Sequence, residues 1–156
     1  MATATFGAGC FWGVEEAFRR LPGVLEATSG YMGGDVEKPT YQQVCTGRTN
    51  HAEVVQVEYD PAQIPYARLL EAFWKIHDPT TLNRQGPDRG TQYRSAVFTH
   101  DDEQAREASE MKRKLDESGG FGRPIVTEIT PAGTFWRAEE YHQRYVQKNG
   151  GAGCHI

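Results

Sequence analysis

Ten residues into the chain, within the stretch TFGAGCFWGVEEAFRRLPG, a cysteine stands between Gly9 and two large aromatics. A thiol becomes a nucleophile where its surroundings favour the thiolate. The start of a helix does this, because its unpaired N–H groups and the positive end of its dipole lower the pKa below the usual value of roughly 8.5. Thr3 to Gly7 reads as a short strand, and Phe11, Val14, Phe18 and Leu21 then recur at helical spacing until Pro22 and Gly23 stop the pattern. Cys10 therefore falls at a strand-to-helix turn, where the neighbouring glycines permit close backbone approach and Phe11 and Trp12 offer an apolar wall beside the sulfur. The alternative for any free cysteine is a small buried hydrophobe.

A second chemical group lies in HAEVVQVEYDP, whose alternation puts Glu53, Val55, Val57 and Tyr59 on one face of a strand and Val54, Gln56 and Glu58 on the other. A carboxyl sharing a face with two valines is partly desolvated. Desolvation raises its pKa and lets it stay protonated near neutrality, as a general acid must. An exposed glutamate at a strand end is the competing reading. Tyr41 and Tyr93 can each supply a hydroxyl donor, and Asp88, in QGPDRG, can accept from a substrate amide; turn or packing roles compete at all three. His51 and His77 are possible metal ligands, but no cysteines and histidines show paired zinc-type spacing apart from the adjacent Cys154 and His155, so neither a metal site nor a cofactor is expected. Cys45, next to Val44 in YQQVCTG, reads as a small buried hydrophobe without a catalytic role.

The elements that must position these groups are those of one compact domain. The chain has 156 residues, 38% of them hydrophobic, enough for a single core spanning the whole length, with a flexible glycine-rich tail from about residue 149 to residue 156. A net charge of −4, with acids and bases interspersed, excludes the basic stripe of a nucleic-acid or membrane-surface binder. No secretion-type leader or membrane-length apolar run is legible, and three widely spaced cysteines do not make a secreted disulfide framework, so a cytoplasmic protein acting as a monomer is expected. Residues 24–31 read as a second strand, 66–78 as an amphipathic helix, 93–100 as a strand, 101–115 as a helix with acids first and bases last, and 124–130 as a further strand. The order β-α-β-β-α-β, then α-β, predicts an α+β fold: a two-layer sandwich with a ferredoxin-like split βαβ core and C-terminal additions. With the first and third strands taken as parallel, Cys10 and Glu53 would fall at opposite ends of the sheet, so either the sheet is elaborated or the strand boundaries shift. Two long Gly-, Pro-, Asn- and Thr-rich connections, 32–50 and 78–93, carry Tyr41 and Tyr93, whose presence argues for order.

Several separated segments, taken together and in order, resemble one known family. GCFWGVEEAF, GYMGG, PTYQQVCTGRTNHAEVVQVEYDP, FWKIHDPTTLNRQGPDRGTQYRSAVF and YHQRYVQKN are similar to the class A peptide methionine sulfoxide reductases over nearly the whole chain. The resemblance implies reduction of the S epimer of methionine sulfoxide, free or in oxidised proteins and peptides, with thioredoxin as the restoring reductant. Carried over position by position, Cys10 matches the nucleophile, Phe11 and Trp12 the pocket for the substrate methyl group, and Glu53 the proton donor. Tyr41 and Tyr93 match the donors to the sulfoxide oxygen, and Asp88 a substrate-orienting carboxylate. Cys154 matches the resolving cysteine that would condense with a sulfenic acid on Cys10. Ile156 follows it two residues later, so a single internal disulfide attacked directly by the reductant is expected, while Gly153 stands where some members carry an aromatic. Two other functions use overlapping parts: a thiol peroxidase or redox sensor, which needs no methyl pocket, and a noncatalytic module that binds oxidised methionine.

Overall fold

The computed structural model describes residues 2–149. In chain order its elements are β1 (Ala2–Ala8), α1 (Phe11–Arg19), β2 (Val24–Met32), α2 (Tyr41–Cys45), β3 (Ala52–Tyr59), α3 (Tyr66–Lys75), β4 (Arg84–Gln85), β5 (Asp88–Arg89), β6 (Ser95–Thr99), α4 (Asp102–Ser118), β7 (Glu128–Pro131), β8 (Trp136–Arg137) and α5 (Tyr145–Asn149). Single 3-10 turns lie at Thr91–Tyr93 and Glu140–His142. None of the described helices is long and apolar enough to cross a membrane.

The main sheet runs β7-β6-β1-β3-β2-β8. β1 lies antiparallel between β3, with Phe6 opposite Val55, and β6, with Phe6 opposite Val97. β2 runs antiparallel to β3 from Val24 opposite Tyr59 to Met32 opposite Ala52. This corrects the expectation that the first and third strands are parallel. It is β1 and β2, both opposed to β3, that run the same way, as the α1 crossover between them requires. The end of β1 therefore lies beside the start of β3, and Cys10 and Glu53 meet at one end of the sheet without any elaboration or boundary shift.

One face of the sheet presents Ala4, Phe6, Val55, Val57, Tyr59 and Val97 to Val14 and Phe18 of α1, to Tyr66, Leu69, Leu70 and Phe73 of α3 and to Ala108 of α4. Phe6 is the centre of this layer, stacked 4.9 Å from Phe18 and 5.2 Å from Phe73. On the opposite face Met32, Ala52, Val54, Ala96 and Phe98 are covered by Ala132 and Phe135. The odd-numbered residues of β3 thus face the helices, as the alternation predicts, and Glu53 belongs to that set.

The strand expected over 124–130 is confined to β7, which pairs in parallel with β6. Upstream, the backbone spends its polar groups elsewhere: Ile125 N on the Asp116 carboxylate, Val126 N on Pro79 O, and Thr127 O on Lys112 Nζ. The two long connections are ordered. His51 closes the first, with Nδ1 accepting from Gly34 N and Nε2 bonded to Val36 O, and α2 begins there on a capping box of Thr40 and Gln43. His77 is bonded through Nδ1 to Phe73 O and through Nε2 to Ser95 Oγ, at the start of the second.

Candidate active site

β1 delivers the chain into a turn at Gly9, whose φ of +94° strains any residue with a Cβ. Cys10 follows as the cap of α1, only 2% exposed. Just upstream, a Cβ on Gly7 would stand 3.4 Å from Glu53 O, so the glycine lets β1 close on β3 at the level of the carboxyl. The first helical N–H, that of Phe11, donates to Glu53 Oε1 at 3.2 Å, tying the residue after Cys10 to the strand beside it. Glu53 is 1% exposed, and its Oε2 is buried with no hydrogen-bond partner among the described residues. Burial pushes this carboxyl up to about 8; the Phe11 N–H opposes the shift, and the Asp88 carboxylate adds to it. The shift favours the protonated form of Glu53 near neutral pH.

Around this pair the aromatic groups converge. Phe11 is fully buried, 5.7 Å from Tyr31 and 6.3 Å from Tyr41 between ring centroids. Trp12, half-buried, lies 6.3 Å from Tyr41 and stacks on Tyr145 at 3.8 Å with the rings 8° from parallel. The Tyr41 and Tyr93 phenols are half-buried, and burial first, then the Glu53 carboxyl, holds both pKa values well above the ordinary tyrosine range, so both remain hydroxyl donors. Asp88 sits on β5, opposite Gln85 of β4, and its charge is felt by both Glu53 and Tyr93. The two loops are joined where Gln92 Nε2 donates to Cys45 O at 3.3 Å, setting Tyr93 against α2, whose first residue is Tyr41.

The structure thus brings together Cys10, Phe11, Trp12, Tyr41, Glu53, Asp88 and Tyr93. Cys154 lies outside the described residues. Cys45 departs from expectation: it is exposed, because Val44 takes the core-facing position of the short α2 and its neighbour turns outward. Its thiol interacts with the Tyr41 side chain one turn earlier.

Three further residues of the site come from the C-terminal segment. Glu139 accepts from Tyr31 Oη at 2.8 Å through Oε1 and from Tyr41 N at 2.9 Å through Oε2, so it fixes the backbone from which Tyr41 projects. These donors keep its carboxyl below the ordinary glutamate range although burial opposes them. His142 accepts from Trp12 Nε1, and Tyr145 supplies the stacked ring. The signal available was three aromatic or imidazole rings in EEYHQRY, an otherwise polar run. No period exposed them, because the backbone passes from a 3-10 turn through Arg144 at φ +55° into α5.

The arrangement is a buried cysteine sulfur and a carboxyl of raised pKa sharing a helix N-terminus, with two phenol donors and an aromatic wall alongside. The sequence profile of the family described as peptide methionine sulfoxide reductase matches residues 2–156. The chain belongs to the peptide methionine sulfoxide reductase family. It is 68% identical over 151 residues to the peptide methionine sulfoxide reductase MsrA of Methanoculleus marisnigri, covering 97% of this chain and 92% of that one. Among solved structures it is similar to Saccharomyces cerevisiae Mxr1 in reduced form, with a TM-score of 0.91, 41% identity and coverage of 98% of this chain and 88% of that chain. It is also similar to the same yeast protein in complex with Trx2, with a TM-score of 0.65, 28% identity and coverage of 92% and 84%. The α+β architecture, with its central sheet and flanking helices, is that of these structures.

Proposed function

We propose that Cys10 is the nucleophile with which this reductase converts methionine sulfoxide to methionine, and that Glu53 is its proton donor. The observation behind the assignment is the Phe11 N–H to Glu53 Oε1 bond, which sets a carboxyl with a pKa of about 8 one residue from Cys10 and leaves Oε2 buried without a partner among the described residues. The Cys10 thiolate attacks the sulfoxide sulfur while Glu53 gives its proton to the sulfoxide oxygen, so the leaving oxygen never carries a full charge. Attack forms a bond between Cys10 Sγ and the substrate sulfur. As that adduct collapses the protonated oxygen passes to Sγ, and the S–O bond to the substrate and the new S–S bond break with an electron pair returning to the substrate sulfur. Methionine departs, leaving Cys10 as sulfenic acid. Tyr41 and Tyr93 donate to the same oxygen as charge builds on it, Phe11 and Trp12 enclose the methyl group, and Asp88 orients the substrate backbone.

Sulfenic acid and the Cys154 thiol then condense, releasing water and forming a disulfide between Cys10 and Cys154, which a thioredoxin dithiol reduces with two electrons. The complex of the yeast relative with Trx2 supports thioredoxin in that role. The substrate is the S epimer, the chain works as one catalytic domain with a glycine-rich tail carrying Cys154, and its compartment is the cytoplasm. The test is Cys10→Ser, which removes the nucleophile at nearly constant volume. Methionine formation should vanish while the thermal transition stays in place, and substantial residual turnover would sink the assignment.

A further inference from the structure

His142 is fully buried, with ring centroids of Phe11, Trp12, Tyr41 and Tyr141 between 4.0 and 5.7 Å away. Trp12 Nε1–H donates to its Nδ1 at 2.9 Å. An indole nitrogen can only donate, so Nδ1 must be unprotonated and the ring proton sits on Nε2, where it is buried and has no hydrogen-bond partner among the described residues. Burial holds the ring below the ordinary histidine range, which keeps Nδ1 free to accept at neutral pH; Glu139 is the facing charge that opposes this. A phenylalanine there would fill the volume without stranding a buried N–H. What the imidazole adds is the acceptor for Trp12.

The ring is also rigidly held. Next to it, the Gln143 side chain bonds to the Ser29 backbone in both directions, accepting from N at 3.0 Å and donating to O at 2.9 Å. Arg144 N donates to the buried Glu15 carboxylate at 2.8 Å. His142 and Tyr145 are thereby fixed to α1 and β2, the elements that carry Trp12 and Tyr31. We propose that His142 is a positioning residue for the sulfoxide pocket: its Nδ1 fixes the edge of the Trp12 indole, Tyr145 clamps the indole face, and together they preset the wall against which the substrate methyl group packs. This rests on the reading of Trp12 as the pocket wall.

The test pairs His142→Phe, which removes the acceptor, with His142→Asn, whose side-chain oxygen takes a place close to that of Nδ1. His142→Phe should raise KM for a methionine sulfoxide peptide roughly five- to tenfold, the usual worth of one hydrogen bond, with kcat changed less than about threefold. Solvent exchange of the Trp12 indole N–H should also speed up, and His142→Asn should restore both readouts. Trp12→Phe should raise KM by itself, and adding His142→Phe to it should cost nothing more. Unchanged KM and exchange in His142→Phe, equal losses in the Phe and Asn variants, or additive losses in the double variant would overturn the proposal. A Trp12→Phe enzyme with unaltered KM would instead overturn the pocket reading and the inference with it. In the unsubstituted protein, nitrogen NMR must find the proton on Nε2; a protonated Nδ1 contradicts the proposal even if the variants fold poorly.

Discussion

Replacing Glu53 by glutamine keeps the shape that accepts from Phe11 N and removes the proton that can be given away. The carboxyl is 1% exposed and is raised from 4.5 to about 8 in the folded chain, so between these values the native state holds a proton that the unfolded chain releases. The sign follows: where the native state binds more protons, stability falls as pH rises. Wild-type stability should therefore decline between about pH 4.5 and pH 8, by on the order of 4 to 5 kcal/mol, since each tenfold gain in proton affinity on folding is worth about 1.36 kcal/mol. Glu53→Gln, neutral throughout, should lack this slope, matching wild type near pH 4.5 and exceeding it above pH 8. The same change should slow sulfoxide reduction by ~10² to 10⁴-fold at neutral pH, the usual worth of a positioned proton donor. Urea unfolding at pH 5, 7 and 9 under reducing conditions reads the first effect, and methionine release reads the second. A stability difference that does not vary with pH, together with a rate within a few-fold of wild type, would show that Glu53 is neither buried-neutral nor the acid.

The other side chains give separable expectations. Trp12→Ala should weaken sulfoxide use at least about fourfold, since burying one methyl group contributes about 0.8 kcal/mol, and should affect peroxide reaction with Cys10 less; equal losses would return Trp12 to simple packing. Tyr41→Phe and Tyr93→Phe should each lower kcat about 10 to 10²-fold with little change in KM, as expected for donors to an oxygen that becomes charged; a pure KM effect would refute that role. Cys154→Ser should release about one methionine per enzyme and then stall with thioredoxin, whereas Cys45→Ser should recycle normally. Mass spectrometry checks the pair, and a Cys10–Cys45 bridge as the main oxidised product would reverse it.

Legibility of the site in the sequence followed the periods of the chain. The strand-turn-helix around Cys10 and the alternation of β3 are local signals, and both the cap position of Cys10 and the inward face of Glu53 follow from them. That the two meet at one end of the sheet depends on β1 and β3 being antiparallel, a property of the crossover topology that no local period contains. α2 left a usable trace, since Thr40 and Gln43 spell the capping box that starts it. The exposure of Cys45 follows from α2 being a helix, and reading the segment as loop hid it. Glu139, His142 and Tyr145 left no periodic trace, because a 3-10 turn and a positive φ at Arg144 place them and long-range bonds to Tyr31, Tyr41 and Trp12 hold them. Similarly, residues 124–127 have strand-like composition, but their polar groups are taken by Asp116, Pro79 and Lys112.

Attack by Cys10 on a sulfoxide sulfur, with oxygen transfer to the thiol, can be read in a single anaerobic turnover without added reductant. Cys154→Ser enzyme, fully reduced beforehand, is mixed with each epimer of a methionine sulfoxide peptide, and both methionine and the mass of the Cys10 peptide are measured. About one methionine per enzyme should form from the S epimer alone, with one oxygen atom gained on Cys10 in equal amount. Methionine formed without oxygen on Cys10, or equal yields from both epimers, would contradict it.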